Sequence, residues 1–226
     1  MKEKRIISQT DESLSLEAGE FIWNSEESVE AHSYIFPTVI ELLKEMKVNR
    51  VLDLGCGNGA LTAILQKDGF DVTGIDPSQS GIEYACKNRD GDFRCLSVDE
   101  PLPIDLHGKF DAVVTTEVIE HLLLPRNLLR RAREATQGKK GKIVLSTPYH
   151  GYLKNLVIAL CNGFDNHWHP LRDYGHVKFF SENTLKELFL EFNISVEDVK
   201  KVGRVPLVAK SMILAGTIQP SAARIE

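Results

Sequence analysis

The sequence predicts an α/β fold in which a mostly parallel sheet carries helices on both faces. Short runs of β-branched and apolar residues alternate along the chain with longer segments whose apolar residues recur at helical spacing. Such alternation is typical of parallel strands joined by crossover helices. The 226 residues suffice for one domain with a buried core and a lid, but not for a second full domain.

The strands are predicted from their composition and from the turn residues that bound them. Gly203 and Pro206 interrupt the last strand-like stretch and favour a hairpin-type return, so the final two strands are expected to be antiparallel. In chain order the predicted strands cover residues 50–54, 71–75, 92–96, 110–115, 142–147, 194–202 and 208–217.

Helices are predicted between these strands and ahead of the first one. The N-terminal helix is expected over residues 25–46, with Ser25 as its cap and Pro37 as a kink or break. The other predicted helices cover residues 60–67, 80–87, 125–136 and 182–192.

Composition and charge narrow the function classes. A net charge of -5 provides no global positive field for phosphates, which disfavours a nucleic acid partner. The four cysteines form no C-x-x-C pair and no signal-peptide pattern precedes them, so reduced thiols and a cytoplasmic location are expected. The apolar run at 156–161 is far shorter than the roughly 20 residues that cross a bilayer.

The segment 51–59, with the letters V-L-D-L-G-C-G-N-G, predicts a cofactor site made of backbone. A strand that runs into alternate glycines can turn sharply at positive φ, and a ligand can approach the main chain around Gly55, Cys56 and Gly57. The same glycines with Ala60 also fit the dinucleotide fingerprint G-x-G-x-x-G/A, so this loop alone leaves two cofactor classes open.

Two acids beside the loop distinguish between those cofactors. Asp53 would repel a pyrophosphate but attract the ammonium group of S-adenosylmethionine, directly or through water. Asp76, followed by Pro77, ends the second strand where it can accept hydrogen bonds from both ribose hydroxyls, which both cofactor classes carry. The sign of the charge at Asp53 therefore favours S-adenosylmethionine over a nicotinamide dinucleotide.

Four segments together resemble the class I S-adenosylmethionine-dependent methyltransferases. They are the D-x-G-x-G-x-G loop at 53–59, the G-I-D strand end at 74–76, the F-D-x-V segment at 110–113 and the closing strand at 141–148. The resemblance covers 48–217 and implies a Rossmann-like seven-stranded sheet with an antiparallel last strand. It also implies that cofactor and acceptor bind at the carboxyl ends of the parallel strands.

The resemblance implies a domain organisation as well. Residues 1–24 are expected to form a flexible cover segment, and 25–217 the methyltransferase domain with a lid insertion at about 149–180. Residues 218–226 are expected to be a tail.

The adenine contact departs from the family pattern. Relatives often place an acid directly after a small residue behind the third strand, whereas here Val98 precedes Asp99 and the acid is displaced by one. The resemblance implies that Val98 or Asp99 meets the adenine. A solvated loop acid is the other interpretation of Asp99.

An acidic cluster follows the fourth strand. Glu117, Glu120 and His121 are spaced i, i+3 and i+4, which puts them on one face if a helical turn begins there. Two carboxylates and an imidazole suit Mg²⁺ or another divalent ion, with His176 as a fourth ligand from the lid. Glu117 is also a candidate cofactor contact. Without a metal, Glu120 and His121 are the candidate catalytic residues, with His121 as general base.

This E-x-x-E-H arrangement with a later histidine resembles two subfamilies, in which it surrounds a divalent metal. They are the small-RNA 2′-O-methyltransferases and the ubiquinone-biosynthesis O-methyltransferases. The length and the acidity of the chain favour the second.

The segment behind the fifth strand is predicted to bind the methyl acceptor. Its candidate substrate residues are Tyr149, His150 and Trp168, with Trp23 as a cover from the N-terminal segment. The segment is apolar enough for a hydrophobic acceptor or for peripheral membrane contact. A buried lid helix is the favoured interpretation, because only Lys154 carries positive charge there.

The predicted function is methyl transfer from S-adenosylmethionine to an oxygen of a small apolar or aromatic molecule, with or without a metal. RNA 2′-O-methylation and a catalytically idle cofactor-binding partner subunit are the alternatives. The acidic charge argues against the first, and the intact Glu117, Glu120 and His121 argue against the second. No pattern in the sequence indicates an oligomeric state.

Overall fold

A computed structural model describes residues 32–168, 170–171 and 174–220. Its strands are β1 (Arg50–Leu54), β2 (Asp71–Asp76), β3 (Asp92–Cys95), β4 (Ala112–Thr116), β5 (Gly141–Pro148), β6 (Ile194–Val202) and β7 (Ser211–Ile218). Its helices are α1 (His32–Glu45), α2 (Ala60–Lys67), α3 (Gln79–Asn88), α4 (Pro125–Ala135), α5 (Tyr152–Leu160), α6 (Phe164–Trp168) and α7 (Glu182–Glu191). The strands form one sheet in the order β3-β2-β1-β4-β5-β7-β6.

Strand pairing confirms the predicted fold class. β1 pairs in parallel with β2 and β4, β2 with β3, and β4 with β5. β7 runs antiparallel to both β5 and β6, as predicted. Ser211 at the start of β7 pairs with Pro148 and with Val202, so the ends of β5 and β6 reach the same carboxyl edge as β1, β2 and β4.

Helices cover both faces of the sheet, because successive strand residues point to opposite sides. Leu128 of α4 and Phe189 of α7 are fully buried on one face, and Leu43 of α1 and Leu65 of α2 on the other. The central parallel strands are therefore buried on both sides, which explains why their sequences are continuous runs of apolar residues.

The predicted break at Pro37 is wrong, because α1 continues through it. A proline inside a helix costs about 3 kcal/mol through its missing N–H and its clash with the preceding turn. α1 buries Ile35, Val39 and Leu43 completely, and each such side chain contributes roughly 1.5–3 kcal/mol. Tertiary packing thus outweighs the local cost. The predicted start of this helix, residues 25–31, lies outside the described residues.

Two strand starts also differ from the prediction by more than one residue. β4 begins at Ala112, because the Phe110 amide donates to the carbonyl of Ala135 at the end of α4. β7 begins at Ser211, because Pro206–Val208 form a short 3₁₀ turn ahead of it. The pattern of apolar residues extends through both segments, so it carries no signal for these boundaries.

The lid insertion holds two short helices, and the favoured burial of its first helix is not found. α5 buries none of its nine residues, and Tyr152 and Leu160 are 84% and 77% exposed. This helix lies beyond the end of β5 and packs against α6 and the Pro206–Val208 turn instead of the sheet. None of the described helices is both long enough and apolar enough to span a membrane.

Candidate functional site

The loop after β1 has the backbone geometry that a nucleotide-type cofactor needs. Gly55 and Gly57 have φ values of 88° and 54°, in the left-handed region that residues with a Cβ rarely adopt. The amides of Gly55 and Cys56 both donate to the Ile75 carbonyl, at 2.8 and 3.0 Å, which holds the turn against β2. A Cβ on Gly55 would overlap the Val118 side chain. The glycine is therefore required for close packing as well as for its φ.

Asp76 connects this loop to α3. Its Oδ2 accepts from the Gly57 amide at 2.9 Å, and its Oδ1 accepts from the Ser78 amide at 2.8 Å. Ser78 in turn caps α3 with its side chain. Because each carboxylate oxygen has two lone pairs, Asp76 can still accept from ribose hydroxyls. The intervening Pro77 lies against β3, where its carbonyl accepts from the Cys95 thiol.

Asp53 lies fully buried beneath the glycine loop. Its Oδ2 accepts from the Thr62 hydroxyl at 2.6 Å, and its Oδ1 has no hydrogen-bond partner among the described residues. Burial raises the pKa of Asp53 to about 7; the Thr62 hydrogen bond lowers it and the charge of Asp76 raises it further. A buried carboxylate with one unused oxygen fits a site for a cationic cofactor. Its contact with the cofactor ammonium stays a prediction.

The stability of the cofactor-free protein is expected to fall between about pH 4 and pH 7. The folded pKa of Asp53, about 7, lies above its ordinary value of 3.8, so its stabilising contribution is complete below pH 3.8 and is lost as the pH rises through 7. That gap corresponds to about 4 kcal/mol. Thermal melts across this range should show a weaker decline in Asp53→Asn than in the wild type. The exposed Asp71→Asn serves as control, and equal slopes in all three proteins would contradict the prediction.

The two candidate adenine contacts have different surroundings. Val98 belongs to the buried core on the α4 side of the sheet. Asp99 is exposed, and its carboxylate accepts from the Asn127 side chain of α4 at 2.9 Å. The adenine role of either residue stays a prediction.

Glu117 begins the turn after β4 in a left-handed backbone conformation, with φ of 55°. Its carboxylate accepts from the Ser146 hydroxyl at 2.9 Å. Burial raises the pKa of Glu117 to about 7, while hydrogen bonds from Ser146 and Ser211 and the charge of Lys154 lower it. The side chain is therefore directed towards β5 and β7.

Three of the four predicted metal ligands come together, and Glu117 does not join them. Potential ligand atoms of Glu120, His121 and His176 lie within 4.8 Å of one another. The expected helical face is not formed, because the turn after β4 is a short 3₁₀ segment, Ile119–His121, that starts two residues after Glu117. Because the backbone of Glu117 is left-handed, its side chain points in a different direction from those of Glu120 and His121.

Glu120 is the buried member of this group. Its Oε2 accepts from the Thr147 hydroxyl at 3.0 Å, and its Oε1 has no partner among the described residues. Burial, reinforced by the charge of Glu117, raises the pKa of Glu120 well above its ordinary value. Ionisation of this carboxyl is costly unless a cation lies beside it.

Backbone hydrogen bonds place the later histidine beside the turn. The amides of residues 177 and 178 both donate to the Glu120 carbonyl at 2.9 Å. His121 Nδ1 lies 2.8 Å from the Tyr174 carbonyl, so it carries the proton and the lone pair of the neutral imidazole is on Nε2. The rings of His121 and His176 meet edge to face, with centroids 4.8 Å apart.

The predicted acceptor residues lie in and beside an aromatic cluster of the lid. His150 is buried against the edge of Phe179, and Trp168 packs on Phe179 and Phe164 with centroids 5.2 and 4.5 Å apart. Burial, followed by the charge of a nearby lysine, lowers the pKa of His150 to about 4, so its imidazole is neutral. Tyr149 follows β5, and its amide donates to the carbonyl of Lys210, just ahead of β7, at 2.9 Å.

Sequence reasoning missed the hydroxyl groups that orient the buried carboxylates, namely those of Thr62, Ser146 and Thr147. The available signal was the pair of hydroxyl residues that ends the apolar run of β5. Trp23, the predicted cover, lies outside the described residues.

Residues 29–199 match the family described as methyltransferase domain. The ubiquinone biosynthesis O-methyltransferase of Bradyrhizobium diazoefficiens is 32% identical over 167 residues, which cover 71% of this chain and 64% of that relative. The Rickettsia bellii (strain OSU 85-389) protein of the same name is 28% identical over 176 residues, which cover 74% and 70%. The chain therefore spans about two thirds of the length of these relatives.

The magnesium protoporphyrin IX methyltransferase of Synechocystis, solved with bound S-adenosylhomocysteine, shares the fold. The TM-score is 0.61 at 19% identity, with 81% of this chain and 82% of that chain covered. Since the family match extends over well more than half of the chain, this protein belongs to the methyltransferase domain family and carries a class I S-adenosylmethionine-dependent methyltransferase domain.

Proposed function

We propose that the protein transfers a methyl group from S-adenosylmethionine to an oxygen of a small apolar or aromatic acceptor, with a divalent ion held by Glu120, His121 and His176. The observation that carries this proposal is the position of these three residues beside the glycine loop. Val118 touches the space above Gly55, and the turn with Glu120 and His121 begins at the next residue. The likeness to ubiquinone biosynthesis O-methyltransferases supports oxygen as the accepting atom.

The cofactor residues fit S-adenosylmethionine in charge and in shape. Asp53 and Asp76 place two carboxyl groups next to a glycine loop in which Gly55 and Gly57 have positive φ. When bound, this cofactor supplies an electrophilic methyl group on a sulfonium. The protein then has to align the acceptor and exclude water, which are the contributions that positioning makes in transfer reactions.

The donor set also fits a divalent ion. The unpartnered Oε1 of Glu120 and the ring nitrogens of two histidines are ligands for such ions. The Tyr174 carbonyl orients His121 in the way that outer-shell groups orient metal-binding histidines. Because Glu117 lies outside the group, the set is richer in nitrogen than the sequence predicts, which favours Mn²⁺ or Zn²⁺ over Mg²⁺. A bound ion would lower the pKa of an acceptor hydroxyl.

His121 has a role in either version of the mechanism. With an ion bound, its Nε2 is a ligand. Without one, the same lone pair can take the hydroxyl proton as the oxygen attacks the methyl group, and S-adenosylhomocysteine leaves. Both versions place the reacting oxygen close to the Glu120 and His121 turn.

Turnover of S-adenosylmethionine tests the proposal directly. The full chain is incubated with the cofactor and a set of hydroxyl acceptors that includes catechol, and S-adenosylhomocysteine is measured by mass spectrometry. We expect turnover that is lost after dialysis against a chelator and restored by Mn²⁺ or Zn²⁺. Cofactor binding without turnover of any hydroxyl acceptor would instead support a catalytically idle subunit, and a salt-dependent gel shift with single-stranded RNA would support RNA methylation.

We also infer that α5 contacts a membrane surface. Tyr152 and Leu160 of α5 are strongly exposed, and Val205 and Leu207 next to it are each 67% exposed. Monomeric proteins rarely leave a large apolar patch in water. Arg204, next to Val205, is exposed and supplies a positive charge that suits an anionic lipid surface.

Vesicle flotation is expected to show this contact. The wild type should migrate with phosphatidylglycerol-containing vesicles, and Leu160→Asp should not, because a charge there opposes insertion of the helix. Leu190→Asp, at a leucine on α7 that is 76% exposed, is the matched control and should still float. A wild-type protein that stays at the bottom of the gradient at low salt would refute the membrane contact.

A further inference from the structure

Two neighbouring hydroxyl residues near the end of β5, Ser146 and Thr147, face opposite sides of the sheet. Successive strand residues alternate between the faces, and residues paired across neighbouring strands share one. Ser146 pairs with Ile213 of β7, which belongs to the core on the side of α1 and α2. Thr147 pairs with Met212, which belongs to the core on the side of α4 and α7. The two hydroxyls can therefore hold two different side chains of the turn after β4.

Ser146 holds Glu117. Its hydroxyl donates to Glu117 Oε1 at 2.9 Å, and its carbonyl accepts from the Glu117 amide at 3.2 Å. Glu117 is therefore bonded through both its side chain and its backbone to the same strand residue. These bonds keep its carboxylate apart from the ligand group, although only two residues separate Glu117 from Glu120.

Thr147 holds Glu120 on the other face. Its hydroxyl donates to Glu120 Oε2 at 3.0 Å, and both residues are almost completely buried. A hydroxyl has one proton to donate, so Oε2 is engaged, and Oε1 is the oxygen without a partner among the described residues. Because threonine is branched at Cβ and stiff about χ1, the strand fixes the direction of this hydrogen bond. The hydroxyl thereby decides which carboxylate oxygen is free.

Glu120 is held through its main chain as well. Its carbonyl accepts from the amides of residues 177 and 178 at 2.9 Å, and these residues directly follow His176. The bond from Thr147 and the two amide bonds therefore fix Glu120 relative to His176. Groups that orient metal ligands in this way matter for affinity, because their loss typically weakens metal binding by roughly 10- to 100-fold.

We propose that Thr147 is a positioning residue of the ion site. Its hydroxyl holds Oε2 of Glu120 and thereby presents Oε1 to the divalent ion, while Ser146 keeps Glu117 out of the ligand set. The presence of the ion rests on the proposed function. The inference goes beyond that function because it assigns part of the affinity for the ion to a residue that acts through Glu120.

Calorimetric titration with Mn²⁺ and with Zn²⁺, each alone, tests this role. The full chain is saturated with S-adenosylhomocysteine, which stabilises the folded state, and Thr147→Val replaces the hydroxyl by a methyl group of similar size. We expect the ion to bind roughly 10- to 100-fold more weakly than to the wild type. Thr147→Ser keeps the hydroxyl and should recover most of the affinity.

A separate titration with S-adenosylhomocysteine distinguishes positioning from a general loss of structure. Thr147 is bonded to Glu120 and not to the glycine loop, so Thr147→Val should bind S-adenosylhomocysteine as the wild type does. Should this variant fail to fold, Thr147→Ala replaces it, and the same loss of ion binding is expected.

Thr115→Val is the matched control. Thr115 is also buried, on the neighbouring strand β4, and its hydroxyl has no partner among the described residues. The same substitution there removes no hydrogen bond within the described part of the chain, so the affinity for the ion should stay unchanged.

The proposal is overturned if Thr147→Val binds the ion as tightly as the wild type, or if Thr147→Ser does not recover the affinity. Equal weakening of ion and S-adenosylhomocysteine binding also overturns it, in favour of a purely structural role. A wild type that binds neither Mn²⁺ nor Zn²⁺ overturns it together with the metal-assisted mechanism. Ion binding by the wild type without turnover of any hydroxyl acceptor contradicts the proposed function alone, and the titrations still decide the role of Thr147.

Discussion

Glu120→Gln is expected to lower kcat/KM for methyl transfer by at least ~100-fold and at the same time to stabilise the cofactor-free protein. The carboxyl is fully enclosed, and its pKa is raised by burial and by Glu117. A group whose folded pKa lies above its ordinary value loses its stabilising contribution as the pH rises, so the ionised carboxyl destabilises the fold. A neutral amide of the same shape avoids that cost and removes the negative ligand.

The measurements for this prediction are steady-state kinetics and thermal melts at pH 5 and pH 8. The gain in melting temperature should be larger at pH 8, where the native carboxyl is closer to ionisation. Glu83→Gln, at an exposed glutamate on α3, is the control and should change neither quantity. A Glu120→Gln protein with wild-type activity would refute the site.

Calorimetric titration with Mn²⁺ and Zn²⁺ separates the two roles of His121. If the residue is a ligand, His121→Phe and Glu120→Gln both abolish the binding heat, and His107→Phe, at a histidine bonded to the Leu102 carbonyl, retains it. No heat in the wild type, together with an acid limb in its pH–rate profile that reports His121, would establish the general-base version in place of the metal-assisted one.

Asp76→Ala is expected to weaken S-adenosylmethionine binding by roughly 10²- to 10⁴-fold, since two hydrogen bonds to a charged group are worth about 1.5–3 kcal/mol each. The loss has two sources. The ribose would lose its acceptor, and the amides of Gly57 and Ser78 would lose the carboxylate that joins the glycine loop to α3.

Calorimetry with S-adenosylmethionine measures this effect, and the same strand provides the control. Asp71 begins β2, at the opposite end from Asp76, and forms an exposed ion pair with Arg50. Asp71→Ala should bind the cofactor normally, because it lies at the amino edge of the sheet. Equal affinities for the two variants would contradict the placement of the ribose at Asp76.

The features that the sequence predicts well are those that depend on neighbouring residues. β1, α2 and β6 have the predicted bounds, because the period of their apolar residues and the turns beside them are local signals. The glycine loop is also predictable from its neighbouring residues, since positive φ at Gly55 and Gly57 is a property of the turn itself.

The features that the sequence does not predict depend on packing. The apolar residues of α5 would recur at the same helical spacing whether the helix were buried or exposed. Its exposure is decided only by its position beyond the sheet. The left-handed conformation of Glu117 likewise breaks the i, i+3, i+4 geometry that spacing alone suggests. The hydrogen bond from Thr62 to Asp53 can be predicted only when the packing of α2 on β1 is known.

The sequence by itself determined the fold class, the edge of the sheet at which the cofactor is expected to bind, and the identity of the acidic residues that follow β4. These features are encoded within short segments. Only the tertiary structure decided which of them meet. Backbone hydrogen bonds from residues 177 and 178 to Glu120 bring His176 to His121. Contacts between residues about fifty positions apart depend on packing and on backbone pairing across the fold, which local patterns do not contain.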